Sequence, residues 1–283
     1  MKPLFRLSHL KDFLTELGNI KANRRLSQNF LIDGNIIRKI IQTGAVLPGD
    51  LVVEIGSGPG ALTQALLEAG AQVIAIEKDP LFARELFRLQ TNDKRLEVME
   101  ADFLKLPIEE LLREKCHLKK KAKVVANLPY HITTPIIAKL IPLHQLISSL
   151  TLMVQKEVAV RFTAEAGSRD YSSITVFLNY FSHPRFCFTI APSCFYPSPS
   201  VQSAIVQFEL RPPLLEPHSD LFFKLTRTAF QKRRKMLRAS LKSTYGSAAV
   251  EHALITIEKN PKSRPEDLTL QDFLSLFHCL HPS

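Results

Sequence analysis

From residue 51 onward, short apolar runs alternate with stretches of helical periodicity, and this alternation constrains the fold more than any other feature of the chain. Leu51-Val-Val-Glu-Ile55 reads as a strand ended by glycines, and Leu62 to Ala69 as the helix after it. The series continues with a strand over Gln72–Glu77, a helix over Pro80–Leu89, and strands over Leu96–Glu100, Ala122–Ala126 and Leu150–Gln155. Parallel neighbours need crossover connections, so strands alternating with helices predict a parallel sheet covered on both faces. The series ends differently. Arg185–Ile190 and Ser203–Leu210 are strand-like, and the segment Ala191–Ser200 between them carries three prolines in place of a helix. Such a link suits an antiparallel pair, so the sheet is expected to close with an antiparallel strand.

Arg211-Pro-Pro-Leu-Leu-Glu-Pro217 reads as a linker. It divides the chain into an α/β domain over residues 1–210 and a small helical domain over 211–283. In the latter, Phe223, Phe230 and Leu237 recur at sevens with Leu241 four further on, giving one apolar stripe. Thr269-Leu-Gln-Asp272 has capping-box spacing and marks the start of a last helix. No apolar run approaches the ~20 residues that span a bilayer. Met1 to Lys11 lacks the apolar core of a signal peptide, so a cytoplasmic protein is expected. Cys116, Cys187, Cys194 and Cys279 form no C-x-x-C and have no zinc-spaced His pair beside them. They are read as reduced packing residues, with no metal. The net charge of +10 favours a polyanion or an anionic membrane surface as partner.

The loop Glu54-Ile-Gly56-Ser-Gly58-Pro-Gly60-Ala-Leu-Thr63 follows the first strand and opens a helix. Glycines there let backbone approach a ligand and supply positive φ for a tight turn. In a Rossmann-like sheet this is the crevice for a nucleoside-containing cofactor. The motif leaves two cofactors open. Gly56, Gly58 and Ala61 satisfy the loose dinucleotide pattern, and Glu77, ending the second strand, suits the ribose diol of a dinucleotide or of S-adenosylmethionine. Asp102, just past the third strand, shifts the balance toward S-adenosylmethionine, because an acid there can accept from the adenine amino group. A turn or cap role is its plainer reading.

The fourth strand ends in Asn127-Leu128-Pro129-Tyr130, the strongest signal in the chain. It fits methyl transfer to the exocyclic amine of adenine. That nitrogen is a poor nucleophile because its lone pair is delocalised into the ring. A useful site accepts hydrogen bonds from both amine protons and holds the nitrogen in line with the methyl. Asn127 offers a side-chain carbonyl, and Leu128 and Pro129 offer backbone carbonyls on a constrained turn. Tyr130 offers a flat face for an extruded base. A simple Asn-x-Pro turn is the alternative. His131 adjoins the motif, but no strong general base is evident, since the departing proton is acidic once the nitrogen is alkylated and can pass to water.

With these residues in place, the chain resembles the bacterial small-subunit ribosomal RNA adenine dimethyltransferases, from about Arg24 to Leu280. The landmarks are Ser27-Gln-Asn-Phe-Leu-Ile-Asp33, the glycine loop, Asn127-Leu-Pro-Tyr130 with Ile132-Thr-Thr-Pro135, Gln155-Lys-Glu157, Phe195-Tyr-Pro-Ser-Pro199 and Arg264-Pro-Glu-Asp-Leu268. The resemblance implies a class I methyltransferase sheet and a small C-terminal helical domain that binds rRNA. It implies S-adenosylmethionine at Gln28, Asn29, Leu31, Gly56, Gly58, Glu77, Asp102 and Asn127. It also implies that Phe195 joins Tyr130 in sandwiching the target base. The substrate implied is a pair of adjacent adenosines in the 3′-terminal hairpin loop of 16S rRNA. Each becomes N6,N6-dimethyladenosine within a partly assembled small subunit, and the enzyme is expected to act as a monomer. Two departures stand out: Ser200 and Gln202 replace a basic and an acidic residue of the proline-rich loop, and Ser57-Gly58 replaces a Gly-Pro pair.

Arg234, Arg238 and Lys242 lie four apart and are read as a stripe on one helix face that meets rRNA phosphates, broadened by Lys232, Arg233 and Lys235. A solvated face is the alternative. Arg24 and Arg25 could guide RNA toward the cofactor segment. Lys119-Lys-Lys121 with Lys123, at the opposite end of the fourth strand, is read as an ordinary charged surface. Two other functions compete: an assembly factor that binds the small subunit without chemistry, and a nicotinamide-dependent oxidoreductase. The second leaves Asn127-Leu-Pro-Tyr130 unexplained. A related branch that methylates one adenosine of large-subunit rRNA shares much of the pattern, but Leu128 and Pro135 read better as the small-subunit branch.

Overall fold

The computed structural model describes residues 4–18, 29–115, 120–215, 219–232 and 234–281. Nine strands occur among them: β1 Phe30–Leu31, β2 Leu51–Ile55, β3 Gln72–Glu77, β4 Leu96–Glu100, β5 Ala122–Asn127, β6 Ile147–Gln155, β7 Ser182–Ile190, β8 Phe195–Tyr196 and β9 Ser203–Leu210. Seven form one sheet in the order β4-β3-β2-β5-β6-β9-β7. The β2–β3, β2–β5, β3–β4 and β5–β6 pairs are parallel. β9 runs antiparallel to β6, from Ser149 opposite Glu209 to Gln155 opposite Ser203. The fold is therefore the expected Rossmann-like α/β sheet, mostly parallel with an antiparallel strand.

Val52, Val53, Val73, Ala75, Val124 and Val125 are all essentially inaccessible, as strands covered on both faces require. Helices between them start where the sequence provides caps. Asp79 accepts from Leu81 N at 3.0 Å and is followed by Pro80, whose missing N–H costs nothing in a first turn. The strand order reverses at β2, which has β3 on one side and β5 on the other. The crevice at this switch point, outside the carboxyl ends of the strands, is where ligands bind in open α/β sheets.

The chain divides into two compact units, one of residues 1–159 with 185–211 and one of 160–184 with 212–283. The single boundary expected at residue 211 thus needs amending, because 160–184 belongs with the helical unit. The reason is aromatic packing. Tyr180, on the helix Ser173–Phe181, stacks on Phe222 at 5.3 Å and meets Phe223 edge-on at 4.8 Å. Its hydroxyl also accepts from Leu215 N at 2.9 Å. The last helix, Leu270–Leu280, starts with the expected capping box: Asp272 N donates to Thr269 Oγ1 at 3.2 Å and Thr269 N to Asp272 Oδ2 at 2.9 Å. No helix among the described residues is long and apolar enough to cross a membrane.

The apolar stripe of Phe223, Phe230, Leu237 and Leu241 is buried, but it does not lie on one helix. The helix Ser219–Phe230 ends, and short helical turns resume at Leu237–Ser240 and Lys242–Tyr245. Leu237 N donates to Ser263 O at 2.9 Å instead of continuing the earlier helix, and Met236 is extended.

Candidate active site

The glycine loop leaves β2 with φ of 72° at Gly56, 52° at Gly58 and 94° at Gly60, a backbone that residues with a Cβ rarely adopt. A Cβ on Gly60 would also come within 3.0 Å of Leu86. Gly56 N donates to Ile76 O at 2.8 Å, which anchors the loop to β3. Glu77 then shapes it from below. One carboxylate oxygen accepts from Gly58 N and the other from Asp79 N, each at 2.7 Å. Burial pushes the Glu77 pKa up, and the two amides work against that rise. Each oxygen keeps further acceptor capacity for a diol at the cleft. Asp102 caps the turn after β4 through Leu104 N at 3.1 Å, and Lys78 reaches its other oxygen at 3.0 Å. The Lys78 contact holds the Asp102 pKa below the usual carboxylate range. The cap reading and the cofactor reading of Asp102 are thus compatible, provided that Lys78 yields.

Glu54 went unassigned in the sequence because it looks like part of the loop. It is 1% exposed, lines the cleft, and accepts from Thr63 Oγ1 at 2.5 Å. Ser57 Oγ lies buried beside it and makes no well-formed hydrogen bond. Burial raises the Glu54 pKa to about 7 from an ordinary 4.5. Between those values the folded chain keeps a proton that the unfolded chain releases. Stability conferred at this site is therefore full below pH 4.5 and falls as pH rises toward 7. Glu54→Gln is expected to flatten that decline, read from denaturant midpoints at pH 5 and pH 8. A decline of the same steepness in the variant would remove Glu54 as its source.

The segment expected to hold cofactor at Asn29 and Leu31 runs from Asn29 into β1, whose partner is β8 of the proline-rich loop. Phe30 pairs with Tyr196 and Leu31 with Phe195, and Ile32 N donates to Cys194 O at 2.8 Å. Asn29, Phe30 and Leu31 all line the cleft, whereas Gln28, Arg24 and Arg25 lie outside the described residues. Leu10, on the helix Leu7–Glu16, lines it too, an addition invisible in the sequence because nothing there ties that helix to β2.

Asn127 ends β5 with its Nδ2 3.2 Å from Asn29 O. A carbonyl only accepts, so the amide nitrogen must face it, and Oδ1 is left for another donor. The Pro129 carbonyl is not free as expected. Ile132 N donates to it at 3.2 Å and Thr133 Oγ1 at 3.3 Å, which fills its lone pairs. Leu128 therefore remains as the backbone acceptor of the motif. The Tyr130 hydroxyl lies 2.7 Å from Ser203 Oγ on β9, which fixes the ring at the cleft. His131 is exposed at the same cleft.

Phe195 differs from expectation. It is 3% exposed and packs in the hydrophobic core with Leu31, Ile37 and Ile40. The β1–β8 pairing turns it inward, so its ring is not a wall of the cleft opposite Tyr130.

The basic stripe also needs correction. Arg234 lies in the break between helices, exposed, while Arg238 and Lys242 sit on separate short turns. Arg238 is half committed already, 2.9 Å from Glu251. The lysines at the start of β5 do structural work: Lys123 and Lys120 pair with the buried Asp50 at 2.8 and 3.1 Å, and Lys121 donates to His144 O at 2.7 Å.

Residues 19–281 match the family described as ribosomal RNA adenine dimethylase. A protein of Protochlamydia amoebophila named ribosomal RNA small subunit methyltransferase A is 54% identical over 99% of both chains. Its namesake in Chlamydia trachomatis is 44% identical over 97% of both. Among solved structures, a dimethyladenosine transferase from Plasmodium falciparum superposes with a TM-score of 0.72 at 28% identity, over 87% of this chain and 95% of that one. The 23S rRNA methyltransferase ErmE gives 0.70 at 27% identity, over 89% and 99%. With its glycine loop, its acids and Asn127-Leu-Pro-Tyr130 gathered at one switch-point cleft, the chain belongs to the ribosomal RNA adenine dimethylase family, the enzymes that methylate adenine in rRNA.

Proposed function

We propose that the chain transfers methyl groups from S-adenosylmethionine to N6 of two adjacent adenosines in the 3′-terminal hairpin loop of 16S rRNA, giving N6,N6-dimethyladenosine during small-subunit assembly. The observation that carries this reading is the orientation of Asn127 by Asn29 O, directly beside the glycine loop. The residues fit the cofactor. Glu77 is a buried acceptor for the ribose, Asp102 an acceptor for the adenine amine, and the left-handed glycine loop bares backbone to the ligand. When bound, the sulfonium supplies an electrophilic methyl. Asn127 Oδ1 and the Leu128 carbonyl accept hydrogen bonds from the two N6–H groups, which turns the nitrogen lone pair toward that methyl. Tyr130, anchored by Ser203, gives the flipped base a face to stack on. The amine proton leaves to water after transfer. The enzyme works as a cytoplasmic monomer.

In this reading, residues 1–159 with 185–211 perform the chemistry, and the helical unit contributes Arg234, Arg238 and Lys242 to rRNA phosphates. Phosphate contacts add affinity and salt dependence without sequence choice. Arg234→Ala is the cleaner test, because Arg238→Ala also breaks the Glu251 pair. The double variant is expected to flatten the slope of log affinity against log salt by about 1.5, roughly 0.7–0.9 per lost phosphate contact. Equal slopes in wild type and variant would remove these arginines from the interface.

The substrate is tested with labelled S-adenosylmethionine and unmethylated small or large ribosomal subunits. Label on adjacent adenosines near the 3′ end of 16S rRNA is the expected result. Label on the large subunit would move the chain to the branch of ErmE. Tight small-subunit binding with no label on either would favour an assembly factor without chemistry.

A further inference from the structure

Lys139 lies outside every motif read from the sequence. It sits near the end of the helix Thr133–Leu140. Its ammonium donates to three backbone carbonyls, those of Phe103 at 3.3 Å, Leu104 at 2.9 Å and Leu106 at 2.6 Å. It also lies 5.6 Å from the centroid of the Phe103 ring. An ammonium has three donors and no acceptor, so its whole hydrogen-bonding capacity goes to one turn. That turn, Phe103–Lys105, is the one Asp102 caps.

Sheet order gives the link its consequence. β4 delivers Asp102 and β5 delivers Asn127, but β3 and β2 stand between them. Three steps of ~4.8 Å put the two strand ends roughly 14 Å apart, with no direct ladder between them. Lys139 spans that gap. Its helix is rooted in the Asn127 motif through the buried Thr133, whose hydroxyl donates to Pro129 O at 3.3 Å. Its ammonium holds the turn that follows Asp102. Asp102, Phe103 and Leu104 line one wall of the cleft, and Asn127 and Pro129 line another.

We propose that Lys139 is a positioning residue that sets the distance between the wall holding the cofactor's adenine and the motif holding the target amine. The inference rests on the reading of this cleft as an S-adenosylmethionine site. Removing the ammonium loosens the turn without unravelling it, because Phe103 O still accepts from Leu106 N at 3.2 Å and Leu106 O from Ile108 N at 2.9 Å. The loss therefore falls on cofactor binding, through Asp102, more than on folding.

The test titrates S-adenosylhomocysteine into the full chain and into Lys139→Met, Lys139→Arg, Asp102→Asn and the double variant Lys139→Met/Asp102→Asn, with thermal unfolding of each. Lys139→Met is expected to bind about tenfold more weakly, the size of a lost charged hydrogen bond. Lys139→Arg, whose fork reaches the same carbonyls, recovers most of the affinity. In the Asp102→Asn background the Lys139→Met loss disappears, because both act through one wall. Wild-type affinity in a folded Lys139→Met, or losses that add in full, would overturn the inference. Should Lys139→Met not fold, Lys139→Gln, which keeps an amide donor, carries the same comparison. A wild-type chain that binds no S-adenosylhomocysteine would instead overturn the cofactor reading, which separates the two failures.

Discussion

Asn127→Ala is expected to lower methyl transfer to small subunits by about 10²–10³, the cost of deleting one preorganised polar group that acts on the reacting atom. The geometry divides the effect between two assays. In the proposed mechanism Oδ1 is the acceptor that turns the amine lone pair, so kcat carries most of the loss. Nδ2 also holds Asn29 O at 3.2 Å, and Asn29 lines the cleft proposed for the cofactor, so binding of S-adenosylhomocysteine is expected to weaken by a smaller factor. Asn127→Asp keeps an oxygen acceptor but loses the N–H that faces Asn29 O. It places a carboxylate oxygen against a carbonyl and is expected to impair cofactor binding more than alanine does. Undiminished turnover in Asn127→Ala would mean that the Leu128 carbonyl and substrate positioning suffice.

Phe195→Ala is expected to destabilise its unit by about 3–5 kcal/mol, as deletion of a buried aromatic ring does, whereas Phe195→Leu costs under about 1.5 kcal/mol. The ring is 3% exposed and packs with Leu31, Ile37 and Ile40, and its backbone pairs with Leu31. Denaturant midpoints of both variants, with methylation measured beside them, separate packing from stacking. A Phe195→Ala chain as stable as wild type but inactive would return the ring to the role of a second stacking face.

The contrast between Phe195 and Tyr130 shows what the sequence could and could not reveal. The parallel strands were legible because their side chains are buried on both faces and interrupted by crossover helices. β2, β3 and β4 have the bounds of the runs read as strands. The glycine loop was legible because positive φ selects its residue type, and Glu77 because it ends a strand at a fixed distance from that loop. Phe195 was not, because whether a ring faces a cleft or a core depends on β1, a two-residue strand with no periodicity of its own. The Asp50 pairing of Lys120 and Lys123 was hidden for the same reason: charge runs are local in sequence, but their partners are not. The heptad spacing from Phe223 to Leu241 did identify buried residues. It misjudged the backbone, because Leu237 N finds Ser263 O and burial survives a broken helix. Lys139 carries no signal at all, since its partners are carbonyls that every residue possesses.

The short ladder between β1 and β8 has a consequence for how the enzyme is born. The neighbouring contact of Asp33 with Cys194 closes 161 residues of chain. At about 5–20 residues per second, synthesis of such a stretch takes roughly 8–32 s. Before that interval ends the nascent chain has gained the glycine loop and Asn127, yet β1, which borders the cleft beside them, still has no partner. An unfinished chain emerging from a ribosome, surrounded by the kind of RNA it modifies, thus holds an incomplete site until the proline-rich loop has been made.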